Sequence, residues 1–320
     1  LRSGVRLVGK GAALVLPPVP LVRTSQPAAK GEKLLRVEGV TSGFMTGKGV
    51  EIHVPHENRP VFYRGLDATE EGVMKLSGEL PVDVPAGTPI LQAWNMLEAQ
   101  NSAEVIGLRL IGNREQSFRP HDHCTHCGII ATGYYPYDNR GPGQPIEHLR
   151  IVDCEITGFH HRGIALYNVA YATVSWCRIT GCGAEVIDFD HYCHDCVATG
   201  NHLEDCLVGL ECNDTWDCSI TGNRVVRCRV GVNIWEWFPS PVVNSDNLVA
   251  WNVFDQCTTG IHCGKGSEYN YVAANEFIST RERDVAFGGT PNAFAGNKVS
   301  DRFDATGLPQ GSVAVENERK

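Results

Sequence analysis

Asp188, Asp190 and Glu211 are the residues of this 320-residue chain whose types and spacing most suggest chemistry. Asp188 and Asp190 lie two apart in Glu185-Val-Ile-Asp-Phe-Asp190, and Glu211 lies in Val208-Gly-Leu-Glu-Cys-Asn213. Residues i and i+2 of a strand share a face about 6.6 to 7 Å apart, and neighbouring strands lie about 4.8 Å apart. If these segments are adjacent strands, three carboxyl groups meet on one face. They cannot all ionise freely, so at least one pKa should rise. A carboxyl that keeps its proton beside one that has lost it is suited to general acid–base work. Calcium is the alternative occupant for oxygens so grouped. Ten of the twelve histidines fall between His121 and His262, and histidine transfers protons near neutral pH. His161, Arg162, His191 and His262 border the same strands and complete the candidate catalytic set with the three acids.

A repeat must position these residues. The series Cys154, Cys177, Asn201, Asn223, Asn252, Asn275, Asn297 has spacings of 23, 24, 22, 29, 23 and 22. Two positions later stand Ile156, Ile179, Leu203, Val225, Phe254, Phe277 and Val299, all apolar. A period near 22 without a helix in each unit implies one coil per repeat, its apolar face buried only by stacking. The asparagines should form a hydrogen-bonded ladder along the stack. Aligning the strands places Ile129, Ile164, Ile187, Leu210, Val232 and Ile261 inward, with Ala131, Leu166, Phe189, Cys212, Ile234 and Cys263. Alternation then sets Ile130, Ala165, Asp188, Glu211, Asn233 and His262 outward toward solvent, and beside them Thr132, Tyr167, Asp190, Asn213, Trp235 and Gly264. The long step holds an insertion, Trp235 to Asp246, and a second lies between Thr132 and Pro145; both should be loops. Their aromatics, Tyr134, Tyr135, Tyr137, Trp235, Trp237 and Phe238, can stack on sugar rings or pack the loops. Tyr135, Tyr167, Asn213, Asn233, Trp235, Trp237 and His123 are the candidate substrate-binding residues.

The fold expected is an all-β, right-handed parallel β-helix, a solenoid with coils of 22 to 29 residues and a small β insertion near the N-terminus. Residues 1–23 should form a first coil, 24–100 an inserted β excursion, 101–300 the main coils and 301–320 a C-terminal tail. Ile90 to Gln100 is the one helix-period segment.

The pattern over residues 101 to 300, with the early Ser3-Gly-Val-Arg-Leu-Val-Gly-Lys-Gly11, resembles the pectate-lyase-like superfamily. The resemblance implies a polysaccharide substrate and three activities: glycoside hydrolase, polysaccharide lyase and uronate epimerase. Arg119-Pro-His-Asp122 is similar to the Asp-Pro-His motif of mannuronan epimerases, with Arg in place of the first Asp. It also implies an extracellular or periplasmic setting. No lysine occurs between Lys75 and Lys265, so elimination would lack a lysine base in this stretch. Hydrolysis needs two carboxyl groups, which the acids supply directly, so a hydrolase is the first expectation and a lyase or epimerase the alternative. A glycan-binding solenoid without catalysis is the third.

The formal charge is −9, with 28 basic and 37 acidic residues and no basic run, which argues against a nucleic-acid partner. No apolar stretch reaches 18 residues, so no membrane-spanning helix is expected. The chain opens on Leu1-Arg-Ser-Gly4 rather than on Met, so a processed or trimmed chain is the expectation. Cys124/Cys127 and Cys193/Cys196, with His123, His126, His191 and His194 nearby, have spacings that zinc can use. Cys182, Cys206, Cys228 and Cys257, however, share one repeat position. Small apolar residues stacked in the core are the simpler account, so zinc is not expected and calcium is the one metal alternative. No oligomeric state is implied.

Overall fold

The structure is a computed structural model that describes residues 1–54, 61–116, 125–134, 143–236, 244–288, 292–304, 306, 308, 310–315 and 317–319. The chain divides into two compact units, one of residues 1–16, 96–112 and 127–320, the other of 17–95 and 113–126.

The larger unit is a right-handed parallel β-helix of three sheets. The first sheet has ten strands, running from Arg6–Val8 through Thr173–Ser175 and Val197–Thr199 to Val313–Val315. The second, also ten-stranded, runs from Ala13–Val15 through Arg178–Thr180 to Glu318–Arg319. The third has eight strands, among them Ile164–Tyr167, Glu185–Asp190, Val208–Asn213, Val230–Trp235 and Thr259–Cys263. Residues 301–320, expected as a tail, thus contribute the last strands of two sheets, with Val313–Val315 pairing in parallel with Ala293–Ala295. Their short alternations carry too little apolar patterning to stand out from a loop.

The interior follows the repeat. Ile156, Ile179, Leu203, Val225, Phe254 and Phe277 are buried on successive rungs, and the Phe254 and Phe277 rings stack 5.2 Å apart. Burying each such side chain contributes about 1.5 to 3 kcal/mol. The asparagine ladder is present. Asn223 Oδ1 accepts from both the backbone N–H and the Nδ2 of Asn201, each at 2.9 Å. Asn252, Asn275 and Asn297 repeat the contact. A second ladder, Asn247, Asn270 and Asn292, runs along another corner in the same way. Gly231 opens its strand because a Cβ there would lie 2.3 Å from the Gly260 carbonyl oxygen on the next rung. All twelve described cysteines are free and buried. Several of their thiols turn to backbone carbonyls, as Cys193 does to Leu166 and Cys196 to Val169.

The smaller unit contains a closed six-stranded antiparallel barrel, Leu21–Thr24, Leu34–Glu38, Gly49–Ile52, Phe62–Glu70, Val73–Leu76 and Pro89–Gln92. Leu35, Val50, Ile52, Met74, Leu76 and Ile90 fill it. The helix expected at Ile90 to Gln100 does not form. Pro89–Gln92 is a barrel strand, and Leu97–Glu98 is the edge strand of the eight-stranded sheet. Ile90 and Leu91 are both fully buried by strand pairing, which overrides a weak helical period.

Candidate active site

Parallel pairing brings the acids together on the eight-stranded sheet. Ala165 pairs with Asp188, Asp188 with Glu211, Glu211 with Asn233 and Asn233 with His262. Tyr167 pairs with Asp190, and Asn213 with Trp235. These are the two ladders expected from alternation. Their solvent exposure is not as expected. Asp188 is fully buried, and Asp190, Glu211, Tyr167 and Asn213 are 2 to 6% exposed. Strand parity reports which face a side chain takes and not what covers it. Asn233, Trp235 and His262 are half-buried and form the open end of the row.

Arg162 is the cation of the cluster. Its Nε lies 2.6 Å from Asp188 Oδ2 and 2.8 Å from Glu185 Oε2. Its Nη1 donates to the Tyr167 hydroxyl at 2.6 Å and lies 3.2 Å from His161 Nδ1. His191 Nδ1 lies 3.1 Å from Asp190 Oδ1 and 3.5 Å from Asp214 Oδ2, with its ring against Tyr167. Asn233 Nδ2 donates to Glu211 Oε2 at 2.8 Å, and His262 Nδ1 meets Asn233 Oδ1 at 2.7 Å. A chain of contacts thus runs from Glu211 to the half-buried His262.

Burial raises all three acids. Asp188 is pushed well above the carboxylate range by desolvation, opposed by Arg162 and reinforced by Asp190, Glu211 and Glu185. Desolvation lifts Asp190 to about 6, with the His191 and Arg162 charges opposing. Glu211 reaches about 7 through desolvation and the Glu185 charge, partly offset by its bond from Asn233. Burial lowers His262, which favours its neutral form.

Glu185 and Asp214 complete the cluster. Parity sets Glu185 with the inward Ile187 and Phe189, which hid its ion pair with Arg162. Asp214 follows its strand directly, on a backbone with φ of 53°. Of the other expected site residues, His123, Tyr135 and Trp237 lie outside the described residues, as do Cys124, Arg119-Pro-His-Asp122, Tyr137 and Phe238. Within the smaller unit, Glu51 is buried with His53 Nε2 at 3.1 Å, His126 Nε2 at 3.5 Å and the Thr125 hydroxyl. No repeat marks this group in the sequence.

A family model described as periplasmic copper-binding protein (NosD) matches residues 145–298, just under half of the chain. No curated protein matches. Among solved structures, the chain is similar to the A-module of a mannuronan C-5 epimerase of Azotobacter vinelandii. The two are 13% identical with a TM-score of 0.45, over 71% of this chain and 74% of that one. An alginate lyase from a Paenibacillus species is 12% identical with a TM-score of 0.45, over 70% and 95%. The enzymatically active domain of tailspike protein 2 of bacteriophage CBA120 is 13% identical with a TM-score of 0.45, over 66% of this chain. The chain spans 32% of the length of that tailspike domain and 41% of a bacteriophage phi29 gene product 12.

Copper takes imidazole and sulfur ligands. Among the described residues no three His, Cys, Asp or Glu are arranged to hold a metal ion, and the Cys193 and Cys196 thiols face backbone carbonyls. The described residues do not fit copper. The calcium alternative at Asp188, Asp190 and Glu211 gains no support either, since Arg162 already occupies Asp188.

Proposed function

We propose that this pectate-lyase-like β-helix is a polysaccharide-active enzyme, a glycoside hydrolase with Glu211 as general acid and Asp190 as general base. The observation that carries the reading is a pair of buried carboxyl groups, raised to about 6 and about 7, on neighbouring rungs. Near pH 6.5 the lower of the two is mostly ionised and the higher mostly protonated, as acid–base cleavage needs. Asp188 pairs directly with Glu211, and Asp190 lies two residues further along that strand. Glu211 and Asp190 are therefore diagonal neighbours, about 7 to 8 Å apart. With the carboxyl groups spaced as their backbone positions are, the pair suits an inverting hydrolase, which leaves room for water between carboxyls about 6.5 to 9.5 Å apart. Asp188 is fully buried beneath Arg162 and acts as a positioning residue. His191 orients Asp190, and Asn233, Trp235 and His262 form the approach for the sugar.

A second reading, β-elimination or epimerisation of a uronate polymer, is favoured by one contact. The Tyr167 hydroxyl accepts from Arg162 at 2.6 Å, which sets a phenol beside a guanidinium, the two group types that proton abstraction and carboxylate neutralisation need. The setting we propose is periplasmic or extracellular, in keeping with the description of the matched family. Burial of the twelve thiols would protect them from oxidation there.

The test is a panel of neutral and uronic-acid polysaccharides with and without EDTA. New reducing ends without an unsaturated product, lost in Glu211→Gln and Asp190→Asn, support the hydrolase. An unsaturated product means a lyase, and a changed sugar in an uncut polymer means an epimerase. Silence on the whole panel contradicts the enzymatic reading and leaves a glycan-binding solenoid.

A further inference from the structure

Three side chains on consecutive rungs fix one another's hydrogens. Glu211, Asn233 and His262 hold paired positions on the strands Val208–Asn213, Val230–Trp235 and Thr259–Cys263. Asn233 Nδ2 donates to Glu211 Oε2 at 2.8 Å. The amide oxygen of Asn233 therefore points the other way, to His262 Nδ1 at 2.7 Å. An amide oxygen only accepts, so the hydrogen of that contact sits on Nδ1. Burial favours the neutral ring, and a neutral imidazole carries one N–H. Nε2 is then a bare acceptor. Among the described residues it has no hydrogen-bond partner, and it stands at the half-buried end of the row.

The neighbours leave this arrangement undisturbed. Ala286 is the partner of His262 on the outer strand, and Gly264 follows two residues on. A Cβ at Gly264 would lie 3.1 Å from the ring Cε1, so glycine there leaves the imidazole its room. Neither side chain competes for a ring nitrogen. Asp284, diagonal to His262 on the outer strand, is engaged by Thr280 and Ser300. Glu211 faces the Glu185 and Asp190 charges, which oppose its ionisation, and the Asn233 and Trp235 donors, which favour it. Turned end for end, the Asn233 amide would offer Glu211 an oxygen, which only a protonated carboxyl can use. The hydrogen on His262 Nδ1 decides between the two orientations.

We infer that His262 is the positioning residue for Glu211, its Nδ1 hydrogen orienting the Asn233 amide so that the amide N–H meets the carboxyl. The consequence for cleavage rests on the hydrolase reading above, whereas the tautomer and the ionisation of Glu211 do not. The test is NMR on the whole chain. Long-range proton–nitrogen spectra read the tautomer of each histidine, and carbon spectra of the side-chain carboxyls read the midpoint of Glu211. Loss of a signal in His262→Leu and in Glu211→Gln makes the two assignments, and circular dichroism confirms the fold of each variant.

At pH 8 His262 of the parent chain should be neutral with its hydrogen on Nδ1. His262→Leu frees the amide to turn and should raise the Glu211 midpoint by about one unit, through loss of a hydrogen bond to a charged group. His262→Asn, whose amide can donate from where Nδ1 stood, should bring it back. Asn233→Leu should raise the midpoint by itself, and adding His262→Leu should then change nothing. On a cleaved polysaccharide the basic limb of the pH profile should move with the midpoint. A hydrogen on Nε2 of the parent chain, a reading that needs no stable variant beyond the one used for assignment, overturns the proposal. So does a Glu211 midpoint that His262→Leu leaves in place, that His262→Asn does not restore, or that moves further in the double variant. If the NMR results hold and no polysaccharide is cut, the hydrolase reading fails and the positioning of Glu211 stands.

Discussion

Glu211→Gln should stabilise the fold at high pH while abolishing cleavage. Burial raises Glu211 from 4.5 to about 7, so the folded state disfavours its ionised form. A carboxyl whose folded pKa is raised contributes stability fully present below its unfolded value and lost as pH rises through its folded one. The loss therefore runs from about pH 4.5 to about pH 7, and at 1.36 kcal/mol per unit it amounts to about 3 kcal/mol. Glutamine carries no charge to bury and can still accept the Asn233 Nδ2 bond made at 2.8 Å. At pH 8 the variant should be more stable than the parent by roughly 3 kcal/mol, and near pH 4 the two should coincide. Urea unfolding at a series of pH values, followed by tryptophan fluorescence, measures the difference. A Gln variant less stable at pH 8, or an offset that ignores pH, would refute the desolvated-acid account.

Arg162→Met strips Asp188 and Glu185 of their cation. Orphaning one side of a buried pair costs about 3 to 5 kcal/mol, so the variant should unfold at much lower urea, least so in acid, where the carboxyls are neutral. Hydrolysis should follow a narrow bell against pH, its acid limb at about 6 from Asp190 and its basic limb at about 7 from Glu211; Asp190→Asn should remove activity across the whole range. Asn252→Ala removes an oxygen that accepts from Asn223 N and Nδ2 and an amide that donates to Ile220 O and Asn275 Oδ1. With 1 to 3 kcal/mol for each orphaned buried group, urea unfolding should show a loss of about 3 kcal/mol or more. In the native protein the twelve described cysteines should resist a thiol reagent that labels them all in urea.

The sequence was most legible where a residue type repeats for one physical reason. Asn201, Asn223, Asn252 and Asn275 each bond the next rung, so they must recur, and the apolar residue two positions on must fill the coil. The same register placed Asp188 beside Glu211 correctly. It could not show that Asp188 is fully buried, because alternation states which face a side chain takes and not what covers it. Glu185 was hidden by parity. The Asn247, Asn270 and Asn292 ladder begins only after the long insertion, where three members make a weak period. The barrel of the smaller unit has no repeat at all; its strands pair antiparallel through residues such as Val50 and Arg64 that nothing local relates. Ile90 to Gln100 misled because two separate strands happen to space their apolar residues helically.

Glu211 and Asp190, as proposed, cleave a glycosidic bond as a diagonal pair. Proton NMR of the first-formed product, taken before the anomers equilibrate, tests it most directly once a cleaved polysaccharide is found. The newly formed reducing end should have the anomeric configuration opposite to that of the bond cut. Retention would contradict it and make Asp188 with Glu211, on directly paired positions, the working couple. An unsaturated end group would contradict hydrolysis altogether.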